Sequence, residues 1–216
     1  MATGAARSVE ELRDLSDPKA MRALAHPVRL DLIEALGIEG PLTATEAAAL
    51  IGQSATTCSF HLRQLAKYGF VEDAGPGGTR ERPWRLTLIG NYIPEGTGEP
   101  EIDLASDVLG SVLIDRVTDR IRRAWHERRS YSQRWRELTG VDETVMFVTP
   151  EEMAEVRRTL EEVAFRFATR LAAPEERPPG ALPVELLFCS HLLRPEEGAA
   201  DSDAAVADMA EMGAGE

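Results

Sequence analysis

The sequence predicts a mainly α fold with a β-hairpin wing, followed by a long helix and a small C-terminal α/β segment. Three observations predict it. Two short helical patterns lie end to end around the glycine-bearing turn "IGQS". Two strand-like runs, "FVEDAG" and "RPWRLTLIG", then flank the glycine-rich "PGGTRE" and read as a hairpin. Beyond them, apolar residues recur at helical spacing from Leu104 to Trp125. Helix, turn, helix and hairpin in that order make a winged helix-turn-helix domain, expected over residues 9–92.

Each element has a local cause. Residues 9–24 read as a helix interrupted near Asp17-Pro18, after which "KAMRALA" resumes it. Pro27 suits a first helical position, so "PVRLDLIEAL" should run as a second helix to Gly37, with Val28, Leu32, Ile33, Ala35 and Leu36 on its apolar face. In "TATEAAALIG", Thr43 and Glu46 have the spacing of a capping box, and Gly52 ends the helix. "SATTCSFHLRQLAKYG" opens on a capping serine, Ser54, and stops at Gly69. A long helical pattern runs from Asp103 to Leu138, its seam formed by Leu104, Val108, Val112, Leu113, Val117, Ile121 and Trp125. With little of its own domain to cover that seam, the segment 100–140 reads as a dimerisation helix, or as one packed on the C-terminal part of the same chain. In residues 141–194, "ETVMFV" and "LPVELLFCS" read as strands on either side of an amphipathic helix starting at Thr149-Pro150-Glu151-Glu152, a region for an effector or a dimer contact. Residues 195–216 are acidic and rich in small residues, and are expected to be disordered.

The 216 residues suffice for one or two domains with a real core. No apolar run approaches the roughly 20 residues of a membrane span, and the first residues lack the apolar centre of a secretory signal, so a cytoplasmic protein with no membrane partner is expected. The two cysteines, Cys58 and Cys189, are distant and predict free thiols. A net charge of −13 argues at first against a polyanionic partner, but residues 174–216 alone hold 10 acidic and 2 basic groups. Residues 54–68 hold Arg63 and Lys67 and no acid, and Arg80, Arg82 and Arg85 follow. Any nucleic-acid surface belongs there.

Helix geometry at about 100° per residue sorts "TTCSFHLRQL" into faces. Cys58 shares an apolar stripe with Leu62, Leu65 and Ala55, whereas Thr56, Phe60, Arg63, Gln64 and Lys67 lie opposite. His61 falls on the border, where a backbone or phosphate oxygen would satisfy it. A thiol and one imidazole make at most half of a tetrahedral metal set, and no third group orients the histidine for catalysis. Neither a metal nor a cofactor is expected.

"LAHPVRLDLIEAL", "TATEAAALIGQSATTCSFHLRQLAKYGFVE" and the arginine-bearing hairpin resemble the ArsR/SmtB family of bacterial winged-helix repressors, whose recognition helix carries a Ser-x-His-Leu stretch, here Ser59 to Leu62. The resemblance covers roughly residues 18–92. It implies a homodimer that binds palindromic operator DNA and releases it when an effector binds. The cysteine pair of the metal-sensing members is replaced by Thr43 and Thr45, and the long helix offers only His126 beside Glu127, so metal sensing by the family's routes is not expected.

On double-stranded DNA, Arg63 would bond guanine, Gln64 would read adenine and Phe60 would pack on a thymine methyl. Ser54, Thr56, Thr57, Ser59, His61 and Lys67 complete the helix's contacts, with hydroxyls toward phosphates near the helix start. Arg80, Arg82 and Arg85 would hold the adjacent backbone or minor groove, or else serve only hairpin solubility. The arginines of "DRIRRAWHERR", with Arg116 and Arg120 offset by Asp115 and Asp119, read as a solvated face. Trp125, Trp135, Phe147 and Phe165 either shelter a small-molecule effector or form core. The leading expectation is a sequence-specific transcriptional regulator; the alternative is a winged-helix module that binds proteins. An enzyme is not expected, because no phosphate loop and no set of nucleophile, base and orienter can be assembled.

Overall fold

The computed structural model describes residues 13–75, 82–87, 91–94, 96–172 and 174–194. They divide into two compact units that meet between Pro183 and Val184. Strand β1 (Arg13–Asp14) pairs in parallel with β4 (Asn91–Tyr92). Residues 13 and 14 are thus extended, not helical as expected, and residues 9–12 lie outside the described residues. Proline disfavours the helical conformation in the residue before it, so a helix cannot run through Asp17-Pro18. Helix α1 (Pro18–Leu24) starts there instead, with the Asp17 side chain accepting from the Lys19 amide at 2.9 Å.

Helix α2 (Pro27–Glu39) begins on its predicted proline and ends at Gly40, whose φ of 94° disfavours any side chain. Helix α3 (Ala44–Ile51) opens with the complete capping box: the Glu46 amide donates to Thr43 Oγ1 at 3.2 Å, and the Thr43 amide donates to Glu46 at 2.8 Å. Gly52, in the left-handed region at φ 67°, turns the chain toward α4 (Ala55–Lys67). Strands β2 (Val71–Asp73) and β3 (Trp84–Leu86) form the antiparallel hairpin, with Val71 opposite Leu86 and Asp73 opposite Trp84. Leu42 extends it through paired hydrogen bonds with Trp84 of 2.7 and 3.0 Å.

One core joins these elements, built around Leu15, Met21, Leu32, Leu36, Leu62, Leu65 and Val71. Helix α5 (Pro100–Glu127) packs its first half into the same core through Ala105 and Leu109. Of the expected seam, Val112 and Leu113 pack against that core, whereas Leu104, Val108, Ile121 and Trp125 are exposed. The long helix also stops earlier than predicted. After a 3-10 turn, Arg128–Ser130, Ser132 caps the short α6 (Gln133–Leu138), and the Ser130 hydroxyl donates back to the Glu127 carbonyl at 2.7 Å. Serines beside free backbone groups offer the chain an alternative to the helix ladder.

Arg116 and Arg120 also depart from the solvated-face reading. Arg116 reaches across to α2 and binds Asp31 at 2.5 Å and Glu34 at 2.6 Å, and Arg120 joins Glu34 at 2.9 Å. These bonds cross between helices. Burial opposes the Arg116 charge, but the two carboxylates overcome it and hold its pKa above the usual arginine value.

Helix α7 (Pro150–Ala172) starts as predicted, with the Thr149 amide donating to Glu152 at 2.8 Å. Its C-terminal end meets α2, where Leu171 lies against Gly37. Arg177 fastens that junction, donating to the carbonyls of Ile38 at 2.5 Å, Gly37 at 3.1 Å and Arg170 at 2.9 Å. Neither flanking stretch is a strand: "ETVMFV" and "LPVELLFCS" are assigned to no helix or sheet. A strand requires a ladder partner, and apolar alternation alone supplies none. The acidic tail, residues 195–216, lies outside the described residues.

Candidate nucleic-acid interface

The helix pair α3 and α4 presents one surface, and the face of α4 decides what that surface can do. Cys58, Leu62 and Leu65 are fully buried, which fixes the rotation of the helix. Burial pushes the Cys58 thiol up, so the group stays protonated and unreactive. Opposite them Thr56, Phe60, Arg63 and Lys67 are exposed, with Thr57, Ser59 and Gln64 half-buried beside them. Ala55, expected on the apolar stripe, is exposed at the first turn. Phe60 leaves 54% of its surface open, a large apolar ring that the fold does not use.

The start of α4 is chemically ordered. Ser54 Oγ accepts from the Thr57 amide at 3.0 Å and lies 2.8 Å from the Thr57 hydroxyl. Both hydroxyls therefore stand beside the open amides of the first turn, where an anion is favoured. Arg63 Nε donates to the Ser59 carbonyl at 3.1 Å, which holds the side chain along the helix and leaves its terminal nitrogens for another partner.

His61 is not a border residue. Only 9% of it is exposed, because the loop before α2 covers it: the His26 ring lies 4.5 Å away, centroid to centroid. Phe60 meets the same His61 ring edge-on at 5.2 Å. The Nδ1 atoms of both histidines and Nε of Arg29 are buried without a hydrogen-bond partner. The expected backbone oxygen is thus not at His61 Nδ1. Burial lowers the pKa of each histidine, reinforced at His26 by Arg29 and at His61 by His26 and Arg29. Residue spacing does not signal this cluster, because His61 comes from an element far along the chain from His26 and Arg29.

On the wing, Arg82 pairs with Asp73 at 2.9 Å and Arg85 with Glu72 at 2.7 Å, both across the hairpin. The Arg82 guanidinium holds the Asp73 carboxyl below its ordinary range, with the Gly75 amide assisting. These acids temper the wing's positive charge. They were readable as "VED" facing "WRL" once the register was known. Arg80 lies outside the described residues.

Three of the four aromatics of the second half have described side chains, and they stand apart. Phe147 is 100% exposed, Trp125 is stacked under Arg128 at 3.8 Å, Trp135 is half-buried on α6, and the Phe165 side chain lies outside the described residues. An open groove of about 360 Å³ lies elsewhere, between α2, α3 and α5, lined by Asp31, Glu34, Ile38, Leu50, Arg116 and Arg123 among others. Among the described residues no cluster of three or more histidine, cysteine or acidic groups could hold a metal ion. No helix there is long and apolar enough to cross a membrane.

A family model described as a helix-turn-helix domain matches residues 24–74. A search of curated proteins returns no match. Among solved structures, the transcriptional regulator Tm0710 from Thermotoga maritima aligns over 74% of this chain and 88% of its own, at 14% identity and a TM-score of 0.29. That likeness is too loose to carry its role over. Residues 24–74 are a helix-turn-helix domain, and the hairpin that follows gives the chain a mainly helical winged helix-turn-helix fold.

Proposed function

We propose that the chain is a sequence-specific DNA-binding transcriptional regulator, a homodimeric repressor of the ArsR/SmtB kind acting on a palindromic operator. The observation that carries this reading is the division of α4: Cys58, Leu62 and Leu65 close the core while Phe60, Arg63 and Lys67, with Gln64 beside them, remain outside at the end of a helix-turn-helix. A helix so presented fits the major groove, with Arg63 on guanine, Gln64 on adenine and Phe60 on a thymine methyl. Ser54, Thr56, Thr57 and Ser59 bind phosphate, and Arg82 and Arg85 exchange their hairpin carboxylates for it. The solvent-facing side of α5 supplies the dimer contact, and a small-molecule effector tunes operator affinity.

Selection of bound duplexes from a random pool tests the reading. The expected product is an inverted repeat with half-sites about one helical turn apart. A second reading, a module that binds proteins, is favoured by one observation: the two described wing arginines are already paired with carboxylates. Salt separates the readings. Duplex binding that weakens steeply from low to moderate salt supports DNA, and no binding even at low salt supports a protein partner.

A further inference from the structure

Helix α7 carries a seam that the described residues leave partly open. Met153, Val156, Leu160, Val163 and Phe167 follow one another at alternating steps of three and four residues, the spacing of a coiled-coil seam rather than of a helix lying on a broad core. Val163 is 41% and Phe167 52% exposed, and the other three are only half-buried. Beyond them, Leu171 and Arg177 fasten the segment to α2.

The charges on the same helix select the occupant. The first two turns hold Glu151, Glu152 and Glu155 with no basic residue, and the last two hold Arg166 and Arg170 with no acid. A parallel copy would set like charges side by side. An antiparallel copy brings the acidic start of each helix to the basic end of the other, twice by symmetry, and opposes the two helix dipoles.

We propose that α7 pairs with α7 of a second copy of this chain as an antiparallel two-helix contact. Leu160 of one copy packs on Val163 of the other and Val156 on Phe167, with the two-fold axis passing between the two Leu160–Val163 layers. In that register Glu155 lies within a turn of Arg166 and Arg170 of the second copy. This adds a contact to the homodimer proposed above and does not depend on DNA binding.

Sedimentation equilibrium of the full chain tests it with three surface variants. Glu155→Arg and Arg166→Glu each set like charges together at both ends, and each is expected to weaken the dimer by about five- to tenfold. The double variant Glu155→Arg/Arg166→Glu restores the opposition of positions 155 and 166 with signs exchanged, Arg170 being unchanged, and should bind more tightly than either single variant. Val163→Glu, placed in the seam, should weaken the dimer by about a hundredfold or more while the far-ultraviolet circular dichroism of the fold is retained. Dissociation constants unmoved by all of these, or a double variant weaker than either single one, would overturn the proposal. Operator binding is measured alongside: a dimer insensitive to α7 that still binds its inverted repeat removes this contact and leaves the regulator reading standing.

Discussion

Leu62 and Arg63 are neighbours on α4 with opposite surroundings, and truncating each to alanine should produce opposite results. Leu62 is fully buried. Removing its three carbons beyond Cβ forfeits about 2.4 kcal/mol at ~0.8 per methylene, and the cavity left raises the loss to about 3–4 kcal/mol. That corresponds to a fall in Tm of about 6–16 °C for a chain of this size. Arg63 is exposed and bonds only the Ser59 carbonyl within the helix, so Arg63→Ala should leave stability within about 0.5 kcal/mol. On the selected operator, however, it should cost about 1–3 kcal/mol per half-site, roughly 5- to 150-fold in affinity, and relax base preference at one position. Thermal melts and fluorescence anisotropy on the same two proteins supply the comparison. If Arg63→Ala melts like Leu62→Ala, or binds the operator with parental affinity and preference, the rotation assigned to α4 is wrong.

Two further outcomes follow from groups away from the groove. His26 and His61 have native pKa values below their ordinary 6.5, so the unfolded chain binds protons that the native one refuses. Their stability contribution is complete above about pH 6.5 and is lost as pH falls through the lowered native values. Melting temperature between pH 7 and pH 5 should therefore drop more for the parent than for His61→Phe; equal drops would show that the pair does not titrate as a buried cluster. Arg116→Met keeps the apolar stem but strips Asp31 and Glu34 of their shared partner, leaving Arg120 alone on Glu34. With both carboxylates more than a third exposed, the expected cost is about 1–2 kcal/mol in urea unfolding, and it should shrink in high salt.

What could be read from the sequence was what local periodicity and capping determine. The 3.6-residue period was enough to turn Cys58 inward and Phe60 outward, and the Thr43-Glu46 spacing located the start of α3 because both partners lie within one turn. The hairpin was legible because its two runs flank a glycine-rich turn. The misreadings at His61, Arg116 and the runs beside α7 share a different cause, since each depends on a residue distant in sequence. His61 looked like a border residue until His26 covered it. Arg116 looked solvated until α2 came within reach, 82 to 85 positions away. The runs before and after α7 alternate as strands do, yet alternation says nothing about the partner that would complete a ladder, and the single chain forms none for them.

Arg177 spreads one guanidinium over three carbonyls belonging to the ends of two helices, Gly37 and Ile38 on one side and Arg170 on the other. It acts as a rivet. It ties the end of α7 to the end of α2, the helix against which α3 and α4 pack. Chain cut off before this arginine would lose all three bonds and leave the apolar contact of Leu171 with Gly37 to hold the two helices together.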